Sequence, residues 1–350
     1  MTLLQRRPAD DRSAWNLADT NIERKKIRTM STSDKSTNQW EVMNPSLRKS
    51  DCFFMIQSPP IYRLPFGDTQ IILVSDGTLA LGSPEKSFRG ISREEIDAQL
   101  SRHFLPTDNI VIEETVLVCI SGGKRILFET GTGMSPLYPH AGRLQASLLE
   151  AGIDPASIDA VVCSHAHPDH IGGLSATSGR PQFPNAQIYI SEIDFNFWTD
   201  EKLLGSPLDA FVTFARKHLF PMRDRIVFIE YGQEFLPGVH AMLTPGHTRG
   251  HTGFLLTSGN QSLYLIGDLS HHHVLLLERP RVSFAYDLDP TEAADSRVKV
   301  LDMLSTDRTA IFGYHLPWPG IGHVAREQDG FRYFPKSTRW IAQAGPGPEF

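Results

Sequence analysis

His165-Ala166-His167-Pro168-Asp169-His170 places four metal-competent side chains within six residues, directly after the strand-like run Asp159-Ala160-Val161-Val162-Cys163-Ser164. Neutral imidazoles and a carboxylate are the donors that zinc-like borderline ions prefer. Pro168 and the following Gly172-Gly173 restrict the backbone tightly, so alternate side chains diverge toward two ions. The competing reading is a surface histidine cluster without metal. Three further positions weigh against it. Thr244-Pro245-Gly246-His247-Thr248 sets a histidine on a tight turn after a strand. Leu265-Ile266-Gly267-Asp268 ends a strand on an aspartate, and Ile311-Phe312-Gly313-Tyr314-His315 ends another on a histidine. One such strand-end residue is ordinarily a satisfied polar group; here they recur in order behind a dense cluster.

Composition narrows the function classes. The chain has 350 residues, 40% apolar, with 20 Phe and 5 Trp, enough for a sizeable core. A net charge of −6 offers no basic surface for nucleic acid. Three widely spaced cysteines exclude a disulfide framework and fit a reducing compartment. No apolar stretch approaches the roughly 18 residues of a membrane span, and no hydrophobic leader follows Arg6-Arg7. The expected location is cytoplasmic, with a small-molecule substrate as partner, no nucleic acid, no membrane, and a homodimer left open.

Residues 1–58 are polar and aperiodic and are expected to form a disordered extension. A single catalytic domain is expected over 59–345. Within it, Thr69 to Gly77 is strand-like. Ser92-Arg93-Glu94-Glu95 is a capping box opening a helix to about Phe104. Thr115–Ile120 and Arg125–Phe128 flank a hairpin turn at Ser121 to Lys124. Helices are expected at about 140–151, 207–219 and 291–304. Strands are expected near 226–229, 239–243, 253–257, 262–266 and 309–313. Hairpins with helices between them predict an α+β fold, an αββα sandwich of two mixed β-sheets flanked by helices.

The order H-x-H-x-D-H, then His247, Asp268 and His315, resembles the metallo-β-lactamase superfamily over roughly Pro59 to Trp340. The resemblance implies two divalent ions, Zn²⁺ first, with Mn, Fe or Co as alternatives. By it His165, His167 and His247 hold one ion, Asp169, His170 and His315 the second, and Asp268 bridges. It further implies that a hydroxide between the ions attacks the substrate, that Asp169 orients it, and that Asp169 or a metal-bound water protonates the leaving oxygen. Relatives usually carry Asp-Thr-Gly where this chain has Glu129-Thr130-Gly131. Glu129, one methylene longer, is expected to support a ligand histidine by hydrogen bonding.

Tyr314-His315-Leu316-Pro317-Trp318-Pro319-Gly320, Glu192 to Trp198 and Tyr286-Asp287-Leu288-Asp289 resemble methyl-parathion-hydrolase-like proteins and, more loosely, N-acyl homoserine lactonases. That resemblance implies a hydrolase acting on lactones or esters, with phosphotriesterase side activity. β-Lactam hydrolysis and iron-dependent dioxygenase chemistry are the alternatives. Flavodiiron relatives carry Glu where His167 stands, which disfavours a redox role. Tyr138, Trp198, Phe211 and Phe214 are candidate apolar walls of the pocket, each weighed against ordinary core packing. His271 and His272, in the run ending at His273, are candidates to face the substrate; His140 and His323 are expected to be structural.

Overall fold

The computed structural model describes residues 61–337, so the expected extension 1–58 lies outside the described residues. Two seven-stranded mixed sheets form the centre. The first runs Ile61–Phe66, Thr69–Gly82, Ile110–Ser121, Lys124–Phe128, Ala160–Val162, Gln187–Ile190, Ile226–Phe228. Its first four strands are antiparallel hairpins, and the last three join in parallel. The second runs Gly330–Pro335, Ile321–Glu327, Ala310–Phe312, Gln261–Leu265, Thr252–Ser258, Val239–Leu243, Glu234–Leu236. Its single parallel pair joins Gln261–Leu265 to Ala310–Phe312.

Alternation along the strands builds the layers, because successive side chains point to opposite faces. Ile71 and Leu73 turn inward onto Phe254, Leu256 and Phe312 of the facing sheet. Ile72 and Val74 turn outward onto Leu148, Val212 and Leu219 of the helices Leu144–Glu150 and Asp209–Leu219. On the far side, Tyr264 and Ile311 meet Val300, Leu301 and Leu304 of the helix Pro290–Asp307. The result is the expected αββα sandwich. A fourth, smaller core gathers Ile96 and Leu100 of the helix Arg93–Arg102 with Ile112, Leu275 and Phe284.

Local signals set most boundaries. Both halves of the capping box at Ser92 and Glu95 are formed. The helix expected from 140 begins only at Leu144. Buried Asp76 explains the delay: its carboxylate accepts the backbone N–H groups of Thr132 (3.0 Å), Gly142 (3.0 Å) and Leu144 (2.7 Å). Residues up to 143 are thereby held as a loop along the end of the first sheet. Strand Thr69–Gly82 is longer than its apolar run suggested, since it stays paired with Ile110–Ser121 past two register shifts. No helix among the described residues is long and apolar enough to cross a membrane.

Candidate metal centre

Four strands of the sandwich deliver their C-terminal ends to one edge. Ala160–Val162 leads to His165, Val239–Leu243 to His247, Gln261–Leu265 to Asp268, and Ala310–Phe312 to His315. The segment after His167 turns at once into the short helix Pro168–Ile171, which carries Asp169 and His170. That turn demands glycine next: a Cβ on Gly173 would lie 1.9 Å from the Thr130 carbonyl oxygen, and one on Gly172 2.3 Å from that of Thr132.

Asp268 sits between two groups of donors. Its Oδ2 lies 3.1 Å from His247 Nε2 and 3.5 Å from His165 Nε2. Its Oδ1 lies 3.2 Å from His170 Nε2 and 3.4 Å from His315 Nε2. His167 Nδ1 faces His247 Nε2 at 3.0 Å. Asp169 Oδ2 is 3.6 Å from both His170 Nε2 and His315 Nε2. One set, His165, His167, His247 and Asp268, brings its donor atoms within 4.8 Å of one another, as does the set Asp169, His170 and His315.

This arrangement fits divalent cations. His165 Nε2, His170 Nε2, His315 Nε2 and Asp268 Oδ1 are buried, and no hydrogen bond satisfies them. Each such orphan costs about 1–3 kcal/mol, which metal coordination removes. Burial and the adjacent imidazoles hold His165 and His167 well below the usual histidine pKa, as neutral, ligand-competent rings. Burial also opposes charge on His247, but the Asp268 and Asp287 carboxylates outweigh it and lift the ring to about 9. In the same way the acid groups around His170 and His315 raise both against the effect of burial.

The candidate ligand rings are held from behind, as metal-binding histidines require. His165 Nδ1 meets Ser164 Oγ at 3.0 Å, and His247 Nδ1 meets Asp287 Oδ1 at 2.9 Å. His315 Nδ1 lies 2.9 Å from the Glu113 carbonyl and 3.3 Å from Glu114. Glu129 reaches His170 Nδ1 at 3.2 Å while accepting the Ser164 N–H. To do so it adopts a left-handed backbone, φ 70°, unusual for a glutamate.

Asp287, Glu114, His251 and Asp194 were not singled out individually in the sequence. His251 Nε2 accepts the Asp268 N–H at 2.9 Å and so fixes the backbone of Asp268. Asp194 ties together the loops carrying His165 and His247, accepting Ala166 N–H and Gly250 N–H, each at 2.8 Å. The one available signal for Asp287 was its place in the Tyr286 to Asp289 segment. Asp194→Ala strands two buried N–H donors and is expected to cost about 3 kcal/mol. Urea unfolding of the metal-loaded protein measures this, and a loss under about 1 kcal/mol would show that the loops are held by other means.

A cavity of about 360 Å³ opens over Asp169, His167, His247 and Asp268. Tyr138, Phe211 and His271 line it, with Leu79, Leu81, Ile112, Phe284 and Tyr286. His140, expected to be structural, lines it too, whereas His323 faces outward on the far strand Ile321–Glu327. Three pocket candidates lie elsewhere. Trp198 is fully buried, its ring packed 5.1 Å from that of His167, where it backs a candidate ligand rather than touching the cavity. Phe214 stacks on His218 at 4.2 Å within the helical layer. His272 turns away: its Nδ1 accepts Val274 N–H and Leu275 N–H, closing the turn after Ser270. His271 alone of the run enters the site, 2.9 Å from Asp268 Oδ2.

Comparison with known proteins agrees with this architecture. The metallo-beta-lactamase superfamily profile matches residues 111–315. The N-acyl homoserine lactonase AiiA of Bacillus thuringiensis subsp. kurstaki is 25% identical over 202 residues, 57% of this chain and 70% of that protein. Among solved structures, AidC, a dizinc quorum-quenching lactonase in complex with a product, superposes with a TM-score of 0.76. It is 29% identical and covers 80% of this chain and 98% of its own. The hydrolase AbOPH of the beta-lactamase superfamily gives a TM-score of 0.75 at 27% identity, covering 81% and 99%. The chain belongs to the metallo-beta-lactamase superfamily and is a metal-dependent hydrolase.

Proposed function

We propose that the protein hydrolyses uncharged lactones, and esters of similar shape, at a centre of two zinc ions. The observation that carries this reading is the cavity wall. Among the described residues lining it there is no lysine or arginine, while an apolar surface leads down to the ligand cluster. An anionic substrate would bury its charge there unpaired, which costs several kcal/mol. That disfavours β-lactams, whose carboxylate needs a cationic partner. The likeness to AidC and to the N-acyl homoserine lactonases supports the lactone class. An uncharged phosphotriester fits the same wall as a side activity.

His165, His167 and His247 would hold one ion, Asp169, His170 and His315 the other, and Asp268 both. Bound ions supply a Lewis acid and bring the pKa of water toward neutrality. The side chains do the rest. Asp169, at the boundary between cluster and cavity, orients the attacking water and carries its proton to the departing alkoxide. Burial, with the carboxylates of Asp169 and Glu114 nearby, keeps the Tyr138 phenol protonated, so toward substrate it serves as a hydrogen-bond donor. Burial likewise pushes His271 down to about 4, making it a neutral ring beside the reacting carbonyl rather than a cation.

A panel of lactones, aryl esters, phosphotriesters and nitrocefin, run on protein reconstituted with zinc, tests the proposal. Lactones and aryl esters are expected to turn over, with nitrocefin lower in kcat/KM by at least about 10²-fold. Nitrocefin as the best substrate would overturn it. Oxygen uptake without hydrolysis on iron-loaded protein would overturn it equally.

A further inference from the structure

We infer that Arg297 is a positioning residue for this centre, orienting His247 through Asp287 and fixing the cavity wall through three backbone carbonyls. The inference rests on the dinuclear reading above. Arg297 lies mid-way along the helix Pro290–Asp307 and is 1% exposed, the only lysine or arginine buried among the described residues. Its Nε donates to the Leu269 carbonyl. Its Nη1 donates to Pro280 (2.8 Å) and Val282 (3.2 Å). Its Nη2 has no hydrogen-bond partner and stands 3.6 Å from Asp287 Oδ2. The other oxygen of Asp287 is the one that meets His247 Nδ1.

The geometry gives one side chain two tasks. Leu269 directly follows Asp268, and the segment from there to Val282 carries His271 and leads into Phe284, both in the cavity wall. Holding three diverging carbonyls as well as a carboxylate requires a planar fork of donors, which an ammonium group lacks. A carboxylate accepting from Nδ1 leaves His247 Nε2 as a lone-pair donor toward the cluster. Arg297 fixes where that carboxylate stands without itself touching substrate or metal.

The test uses the full chain as Arg297→Met, Arg297→Lys, Asp287→Asn and the Asp287→Asn/Arg297→Met double variant. Zn²⁺ affinity is measured by competition with a chromogenic chelator, alongside kcat and KM for a lactone. Each single variant is expected to lose about 10-fold or more in affinity for one metal equivalent. The double variant is expected to lose no more than the poorer single, because both act on one ring. Arg297→Met is expected to raise KM as well, since His271 and Phe284 lose their anchor. If Arg297→Met does not fold, Arg297→Lys is read in its place: it too is expected to lose affinity, as it keeps charge without the fork. Losses that multiply in the double variant would overturn the inference, as would wild-type zinc affinity in the Arg297 variants. Wild-type protein taking up one equivalent instead of two would correct the dinuclear reading. The comparison of variant with wild type on that ion would still decide the role of Arg297.

Discussion

Asp268→Ala is expected to bring the metal content after dialysis from near two ions per chain to below one, and to remove detectable lactone turnover. The reason is geometric. Its two carboxylate oxygens face His165 and His247 on one side and His170 and His315 on the other. Removing them leaves imidazoles without the shared anion that offsets two like charges. Chelation of the wild type should act in the same direction on stability. Each ion present at about a thousand times its Kd stabilises the fold by about 4 kcal/mol. In a domain of this size withdrawing both corresponds to a fall in Tm of roughly 20 °C. Elemental analysis and a thermal scan with and without chelator check both results. Two ions retained by Asp268→Ala, or an unchanged Tm on chelation, would remove Asp268 and its neighbours as the metal centre.

Asp169→Asn separates proton transfer from metal holding. The variant keeps the shape and one oxygen near His170 and His315 but loses the charge and the capacity to shuttle a proton. The rate constant for an unactivated lactone is expected to fall by at least about 10²-fold, the contribution typical of general acid–base catalysis, with metal content falling much less. The nitrophenolate expelled when the acyl C–O bond of a nitrophenyl ester breaks leaves without needing protonation, so the rate on that ester should fall less. Equal losses on both substrates would confine Asp169 to placing the nucleophile or the ion. Normal turnover of both, with metal bound, would take it off the catalytic list.

The sequence displayed the candidate ligands because each stands beside a backbone device as well as being a suitable side-chain type. His247 follows Pro-Gly, Asp268 follows a glycine at a strand end, and Asp169 and His170 precede the two glycines that cannot carry a Cβ. Strands with one apolar face, such as Val239–Leu243, were equally legible. What stayed hidden depends on distance along the chain. Asp287 meets His247 from 40 residues away and Glu114 meets His315 from some 200, with no local pattern to mark either. The start of the helix Leu144–Glu150 depended on Asp76, more than 60 residues earlier. Two of the four aromatic candidates, Trp198 and Phe214, lie away from the cavity for a different reason. Trp198 and Phe211 share one helical hairpin, and only its packing decides that Phe211 borders the cavity while Trp198 lies beneath it.

Strand Thr69–Gly82 serves two masters along its length. Its first half is locked between the facing sheet and the outer helices, and the stretch Thr78 to Leu81 near its end borders the cavity with Ile112 of the neighbouring strand. None of these five residues is among the candidate ligands or their hydrogen-bonded supports. Substrate range can therefore drift by exchanges at Leu79, Leu81 and Ile112 while the chemical centre stays under separate selection. For a laboratory lineage this makes that wall the natural place to diversify: libraries there spend their variation on recognition, and the ancestral hydrolytic apparatus is inherited intact.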